Sequence, residues 1–179
     1  MIKEIINNKD FKITSQRLTL VPATQDDAEI YYKKFNSNIA KYQISAPFNS
    51  ITAASELLKN FSMFKKNGIH LILNIMNTDY IFIGSLEIYN LHTSSPEIGL
   101  WISEEYQNKG YAYESILAFI NFIKKNSDIT EIIYEADIRN INSIKLVKKL
   151  KAIKQNFHIV KNDIGKELKL NQYLLVISR

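Results

Sequence analysis

The 179-residue chain contains no cysteine, three prolines, five glycines and no long apolar run. Without cysteine there is no disulfide, no thiolate metal site and no cysteine nucleophile. Glycine and proline are too scattered to form a linker or a low-complexity tract. No apolar stretch reaches the ~20 residues that span a bilayer, and residues 1–12 lack the apolar core and cleavage site of a signal peptide. We therefore expect a cytoplasmic protein with no membrane partner.

The charge balance is basic, with a formal net charge of +5 and a pI near 9.2. The cations are mostly lysines spread along the whole chain rather than gathered in one dense block, which is typical of a solvated surface. We therefore expect no direct binding of nucleic acid, while an anionic ligand or partner attracted by the positive field stays open. His70, His92 and His158 do not cluster in the sequence, so no metal site is predicted.

Apolar residues make up 46% of the chain, which is enough for one packed core. Their spacing predicts strands and helices in the order β-α-α-β-β-β-α-β-α-β-β. This order predicts an α/β fold, a single domain with a mixed, mostly antiparallel sheet of about seven strands and helices on both faces. The predicted strands cover residues 16–21, 69–75, 80–89, 97–103, 131–137, 153–160 and 167–177. The predicted helices cover residues 26–35, 50–66, 110–123 and 140–150.

Helix starts and the N-terminus carry further signals. Thr24 lies in a capping-box pattern, and Ser50 or Thr52 can begin the second helix. Residues 1–14 alternate charged residues and asparagine with isoleucine, so we assign them to an N-terminal extension. Residues 15–179 are assigned to the folded domain.

The densest signal joins a strand, Glu97–Ile102, to a helix through a turn that contains Gly110. The first N–H groups of a helix have no intrahelical partner, and the helix dipole places about +0.5 charge there, so this end can bind a diphosphate. Small residues at Gly110 and Ala112 would let the anion touch the backbone, and Lys109 adds a cation. A strand–turn–helix with one glycine is also a common structural element, so spacing alone leaves both interpretations open.

The segment Gln107-x-x-Gly110-x-Ala112 matches the Gln/Arg-x-x-Gly-x-Gly/Ala pyrophosphate loop of the GNAT superfamily of N-acetyltransferases. Four more segments match in order, so that the resemblance covers residues 15–176 and is closest to the ribosomal-protein N-terminal (Rim-type) branch. These segments are Gln16-Arg17-Leu18 with Asp27-Ala28, Ile83-Gly84-Ser85-Leu86, Glu97-Ile98-Gly99, and Asn140-x-x-Ser143 followed by Lys149-Leu150.

The resemblance implies acetyl-coenzyme A as cosubstrate and no metal. It implies a sheet that splays between the fourth and fifth strands, with pantetheine amides paired to the main chain of Trp101, Ile102 and Ser103. The diphosphate would lie on N–H groups between Asn108 and Ala112. The full set of residues implied in coenzyme binding is Trp101, Ile102, Ser103, Gln107, Asn108, Lys109, Gly110, Tyr111, Ala112, Asn140 and Ser143.

Three residues are catalytic candidates. Glu97 occupies the position of a general base in some superfamily members, although it could equally be a strand residue that faces solvent. The N–H of Trp101 is a candidate donor to the oxyanion. Ser143 is the nearest substitute for a tyrosine acid that many members carry on the last helix, and its alternative role is a helix-start hydroxyl beneath an Asn140 cap. A second departure from the family is Lys151, which stands where a glycine normally ends this helix.

The sequence therefore predicts an N-acetyltransferase that moves an acetyl group directly from the thioester to a primary amine, with a protein or peptide α-amine as the expected acceptor. A small-molecule acceptor (a polyamine, amino-acid or drug amine) and a non-catalytic acetyl-coenzyme A-binding module remain the alternatives. The resemblance is also compatible with a homodimer.

Overall fold

Alternating apolar residues build one eight-stranded sheet in this computed structural model, which describes residues 2–162 and 164–177. The strand order is β1-β2-β3-β4-β5-β6-β8-β7; β5 and β6 run parallel, and every other neighbouring pair is antiparallel. The strands are β1 Ile13–Thr14, β2 Leu18–Pro22, β3 Leu71–Asn77, β4 Phe82–Tyr89, β5 Glu97–Ile102, β6 Glu131–Asp137, β7 Ile153–Lys161 and β8 Glu167–Val176. The predicted mixed, mostly antiparallel sheet is confirmed, with one short strand, β1, more than predicted.

Six α-helices in the described residues cover the two faces of this sheet. They are α1 Ile2–Ile6, α2 Ala28–Lys34, α3 Ser37–Ala40, α4 Ile51–Lys66, α5 Tyr111–Asn126 and α6 Ile141–Lys149. Successive strand residues point to opposite faces, and the buried side chains accordingly form two clusters. The larger cluster lies under α1 and α5, and the smaller one joins α2, α3 and α4 to the other face.

Two predicted caps set the starts of the helices on the second face. The Ser50 hydroxyl accepts a hydrogen bond from Ala53 N at 3.1 Å, and Asp27 accepts from Thr24 N at 2.7 Å in a capping box. Asp27 closes a single 3₁₀ turn before α2 begins. Such caps satisfy N–H groups that have no partner inside the helix.

The N-terminal segment is packed rather than trailing. Ile6 is 0% exposed, and Phe11 and Ile13 are buried in the larger cluster. The sequence pattern missed α1 and β1 because isoleucine alternates there with charged residues and asparagine, which hides a short apolar face. Met1, Asp163, Ser178 and Arg179 lie outside the described residues, so the assigned ends of the extension and the domain are not covered.

The sheet opens at its one parallel junction. β5 and β6 pair only at Glu97 with Ile133 and at Ile98 with Tyr134, although β5 continues to Ile102 and β6 to Asp137. Beyond the two pairs the strands diverge. The predicted splay is thereby confirmed.

The end of α6 tolerates its lysine. Lys151 adopts the left-handed backbone that glycine usually supplies, with φ of +56°. The turn still forms, because Ala152 N donates to Val147 O and Lys151 N donates to Lys148 O, both at 3.0 Å. A lysine in this conformation costs about 1–2 kcal/mol.

A close approach of β4 and β5 gives a stability test with an internal control. A Cβ added at Gly84 would lie 2.2 Å from the carbonyl oxygen of Trp101, whereas a Cβ added at Gly99 meets nothing nearer than 3.7 Å. We expect Gly84→Ala to lower the free energy of unfolding by about 2–3 kcal/mol, as overpacking does, and Gly99→Ala by less than about 1 kcal/mol. Urea unfolding of both variants measures this, and equal losses would show that the contact does not hold the two strands.

Candidate active site

The turn before α5 has the backbone that an anion site needs. Gly110 is the N-cap of α5 with φ of +82°, and Asn108 is also left-handed, with φ of +61°. Left-handed residues within a turn direct the neighbouring N–H groups into one concavity, and the helix N-terminus adds its dipole. No side chain caps this helix end, and a Cβ at Gly110 would approach only Arg17, at 3.5 Å. The turn therefore fits a diphosphate, and glycine is needed there for its left-handed conformation more than for its small size.

A partly buried carboxylate, Glu114, fixes this turn against the N-terminal strand. Glu114, in the first turn of α5, accepts hydrogen bonds from Ser15 Oγ and Arg17 N at 2.8 Å and from Arg17 Nε at 2.7 Å. Arg17 in turn donates to the carbonyl of Lys109 at 3.1 Å, and its guanidinium lies over the ring of Tyr111. Burial alone would raise the pKa of Glu114, but the bonds from Ser15 and Arg17 lower it. Glu114 therefore stays charged, and its contacts with Ser15 and Arg17, here called the clamp, orient the turn.

The backbone of β5 directs alternate residues to its two neighbours. Ser103 N donates to Ile83 O of the β4 side at 2.8 Å, and in an antiparallel ladder every second residue faces the same neighbour. Trp101 therefore also faces β4, and its N–H points away from the splay. Leu100 and Ile102 face the splay instead. The expected oxyanion role of the Trp101 N–H, and the expected pantetheine pairing of Trp101 and Ser103, do not fit this geometry, whereas Ile102 does.

Two glutamine side chains confirm which residues of β5 face the splay. Gln43 Nε2 donates to Leu100 O at 3.1 Å, and Gln107 Nε2 donates to Ile102 O at 3.0 Å. Gln107 therefore shapes the end of β5 rather than the anion turn. The Ser103 hydroxyl is buried and, among the described residues, finds no hydrogen-bond partner, so a polar ligand at this end of β5 could satisfy it.

The other coenzyme candidates surround the same opening. Lys109 is exposed, with its ammonium over the Tyr106 ring at 5.3 Å, and Ala112 packs partly against the core. Asn140 caps α6 as expected, because its side-chain oxygen accepts from Ser143 N at 3.2 Å.

Tyr134 supplies a hydroxyl that sequence reasoning missed. It projects from β6 and lies 3.4 Å from the Ser143 hydroxyl. Burial raises its pKa, and the hydrogen bond to Ser143 partly opposes that rise. A tyrosine hydroxyl thus lies beside the start of α6 although α6 itself carries no tyrosine, which only the packing of α6 against β6 reveals.

Three strands, β4, β5 and β6, bring an acidic cluster of Glu87, Glu97 and Glu135 to the opposite face of the splay. Glu97 pairs across the ladder with Tyr89, whose hydroxyl donates to Glu87 at 2.6 Å. From β6, Glu135 accepts from Gln172 at 3.0 Å and lies 3.4 Å from the His158 imidazole.

The cluster shifts the pKa values of its members. Burial raises the pKa of Glu97, the Glu135 charge raises it further, and His158 opposes the rise. Burial also raises the pKa of Glu87, against hydrogen bonds from Tyr89 and Trp101. Glu97 is therefore a partly buried carboxylate with a raised pKa rather than a strand residue that faces solvent.

No sequence motif marks this cluster, because its members come from separate strands and meet only through strand order and register. The alternating pattern of each strand places Glu87, Glu97 and Glu135 on one face, but the order of the strands was needed to make them neighbours. Within the described residues, no group of three or more His, Asp or Glu side chains is arranged to hold a metal ion. None of the described helices has the length and apolar character to cross a membrane.

Comparison with known proteins agrees with this geometry. The profile of the Acetyltransferase (GNAT) domain matches residues 17–153. The uncharacterised N-acetyltransferase YnaD of Bacillus subtilis (strain 168) is 28% identical over 149 residues, which are 81% of this chain and 84% of YnaD.

Solved structures share the fold at low sequence identity. The acetyltransferase of Salmonella typhimurium that modifies the N-terminal serine of 50S ribosomal protein L7/L12 superposes with a TM-score of 0.84 at 15% identity, covering 94% of this chain and 100% of that one. RimL, a ribosomal L7/L12 α-N-protein acetyltransferase solved in complex with coenzyme A, gives 0.82 at 16% identity, covering 93% and 98%.

A splayed mixed sheet with an anion turn at its opening defines an acyl-coenzyme A-dependent transferase fold. The chain belongs to the GNAT family of acetyltransferases, because the family profile covers most of its length. The predicted class of enzyme, an N-acetyltransferase, is confirmed.

The clamp on the anion turn can be tested by ligand-induced stabilisation. Acetyl-coenzyme A at ~100 times its dissociation constant should stabilise the fold by about 2.7 kcal/mol, which raises the Tm by roughly 2–4 °C per kcal/mol. We expect Glu114→Gln to weaken acetyl-coenzyme A binding about tenfold, because Arg17 and the turn lose their charged anchor. Calorimetric titration and thermal unfolding, with and without ligand, measure both quantities.

Glu29→Gln is the matched control, because Glu29 is paired with Lys33 on the exposed side of α2. Equal affinity of the Glu114 and Glu29 variants would show that the clamp is structural only. A Tm that does not move with saturating acetyl-coenzyme A in the parent protein would contradict the assignment of the anion turn.

Proposed function

We propose that this enzyme transfers the acetyl group of acetyl-coenzyme A directly to the α-amine of a protein or peptide. The observation that carries the proposal is the position of Glu97, a partly buried carboxylate with a raised pKa on β5, at the point where β5 leaves β6. A base at this point can remove a proton from an amine that enters the splay.

Neutral amine is the reactive species, since the protonated form has no lone pair. Glu97, directly or through a water molecule, accepts the proton of an incoming ammonium group. The amine nitrogen then forms a bond to the thioester carbonyl carbon as the carbon–sulfur bond breaks. The proton that the nitrogen sheds balances the one taken up by the sulfur, and the products are the N-acetyl amine and coenzyme A.

The backbone of β5 supplies donors for the negative charge that develops on the carbonyl oxygen. The N–H groups of Leu100 and Ile102 face the splay, so the oxyanion role expected of Trp101 passes to them. Donors fixed in a strand need no reorganisation as charge develops, and one such donor is typically worth about 10²–10³ in rate.

Ser143 is the proposed proton donor to the leaving thiolate. A coenzyme A thiol resembles cysteine, with a pKa near ~8.5, so a nearby hydroxyl assists its departure at neutral pH. Tyr134 can donate to Ser143, which leaves the Ser143 proton free to point into the splay. The two hydroxyls together take the place of the tyrosine that the family commonly carries on this helix.

This donor pair predicts a split between turnover and binding. We expect Ser143→Ala to lower kcat by about 10²-fold or more, the range of general acid catalysis, with the affinity for acetyl-coenzyme A nearly unchanged. Tyr134→Phe removes one oxygen atom and should lower kcat by less, because Ser143 remains. Steady-state kinetics with calorimetry measures both, and a change under about threefold in Ser143→Ala would return Ser143 to a helix-start role.

The acceptor class rests on proton chemistry. An α-amine has a pKa near ~7.7–8.0 and is about one-tenth neutral at pH 7, whereas lysine, near ~10.4, must lose a proton at a cost of about 4–5 kcal/mol. A site whose base is a carboxylate suits the less protonated nucleophile. The similar Salmonella enzyme modifies an N-terminal serine, which supports the same class of acceptor here.

We expect a higher kcat/KM for a peptide with a free N-terminus than for its N-blocked, lysine-containing twin or for spermidine. Glu97→Gln should reduce turnover most below pH 7 and progressively less as pH rises through the pKa of the amine, because the amine then deprotonates unaided. Release of free coenzyme A measures all of these rates. Preference for spermidine would favour the small-molecule alternative, and absence of turnover with every amine would favour a non-catalytic binding module.

A further inference from the structure

A cavity of about 580 Å³ adjoins the splay on the face that carries Glu97. Its walls are residues 37–47 on one side and Arg139 with residues 164–167 on the other. Both strands that border the splay lead to this cavity. Gln43 donates a hydrogen bond to the Leu100 carbonyl of β5, and Arg139 lies just after Asp137, the last residue of β6. The volume is that of a small-ligand site, and an acceptor bound there can present its amine to the splay.

The lining of this cavity is cationic. Lys41, Arg139 and Lys166 contribute positive charges, and Glu167 is the one acidic residue among the described lining side chains. Lys41 and Arg139 both approach the Tyr42 ring, at 5.2 and 6.0 Å from its centroid. A ligand that enters the cavity therefore meets donors from three separate segments.

Two of these cations are held in fixed positions. Asp137 accepts from Arg139 Nε and Nη2 at 2.7 Å, and Arg139 Nη2 also donates to Glu167 O at 3.1 Å. Burial would raise the pKa of Asp137, but the bonds from Arg139 and Lys169 hold it at about 2, so this anchor is charged at neutral pH. Lys166 Nζ donates to the carbonyls of Ala40 and Gln43 at 2.6 and 2.5 Å. Nη1 of Arg139 lies outside these bonds and remains a donor for a ligand.

The cavity and the acidic cluster carry charges of opposite sign and lie at different positions along β6. Glu97 pairs with Ile133, and Asp137, next to the cavity, is four residues further, which is about 13 Å along a strand. An extended peptide covers that distance in three to four residues. A free amino acid is too short to place its amine at one end and its carboxylate at the other.

We infer that the acceptor carries a carboxylate within a few residues of its reactive α-amine, and that Lys41, Arg139 and Lys166 bind this carboxylate. The inference rests on the proposed N-acetyltransferase function. The acceptor is then a peptide N-terminus followed by an acidic side chain, and a polyamine is disfavoured because its second cation would lie among three others.

Three peptides that differ only at the third residue test this. Ala-Ala-Asp, Ala-Ala-Asn and Ala-Ala-Lys, each extended by the same neutral residues and amidated at the C-terminus, are compared by coenzyme A release. We expect kcat/KM to fall in that order, with about tenfold between the first and the last and a smaller ratio at high salt. Free aspartate is a further arm: its turnover above that of every peptide would overturn the peptide acceptor.

Charge reversal at the exposed Lys41 gives the matched test in the protein. Lys41→Glu should raise the Lys-peptide rate relative to the Asp-peptide rate by about tenfold, and Lys41→Gln should remove part of the preference. Lys161→Glu is the control, because Lys161 is exposed on β7 outside the cavity lining; it should leave the ratio unchanged. Thermal unfolding verifies that each variant is folded.

The outcomes separate this inference from the function on which it rests. Equal rates for the Asp and Lys peptides, or a ratio that does not respond to Lys41→Glu, would overturn the acidic acceptor while the N-acetyltransferase remains. No coenzyme A release from any peptide by a protein that binds acetyl-coenzyme A would overturn both.

Discussion

The short parallel pairing of β5 and β6 is the constraint on which the site depends. Two residue pairs join the strands, and beyond them each strand has no partner on the side that faces the splay, while β4 and β8 pair with the other edges. A strand edge without a partner strand leaves its N–H and C=O groups available to other partners, and here Gln43 and Gln107 reach two of the carbonyls. The same divergence creates the space into which both substrates must fit. A longer β5–β6 ladder would give a more stable sheet and no site.

The two faces of this opening differ in chemistry because a strand alternates its side chains. On one face lie Tyr134, Ser143 and the anion turn, which are neutral or positive. On the other lie Glu87, Glu97 and Glu135. Burial raises the pKa values of Glu87 and Glu97, and the charge of Glu135 raises that of Glu97 further. A carboxylate with a raised pKa is a stronger base for an amine, but it is lost as pH falls through that raised pKa. The arrangement therefore favours activity on the neutral and alkaline side.

The sequence was sufficient for the parts of the molecule that local patterns encode. The order of the longer strands and helices and the caps at Thr24 and Ser50 follow from periodicity and capping preference, and the family resemblance added the splay. The left-handed turn at Lys151 was not predictable in the same way, because glycine usually supplies that conformation. The direction of the Trp101 N–H was not predictable, because the register of β5 with β4 decides which N–H groups of β5 face β4 and which face the splay. Tyr134 escaped notice for a related reason: it meets Ser143 only once α6 has packed on β6.

Two of the basic residues of the chain hold fixed positions at the borders of the splay. Arg17 and Arg139 are each paired with a carboxylate, Glu114 and Asp137 respectively. Each pair fixes a planar guanidinium at one border of the splay, one at the anion turn and one at the acceptor cavity. An arginine held in this way loses little further freedom when it donates to a ligand. The anion turn and the cavity beside Arg139 thus lie on either side of the acidic cluster, each bordered by an arginine of fixed position.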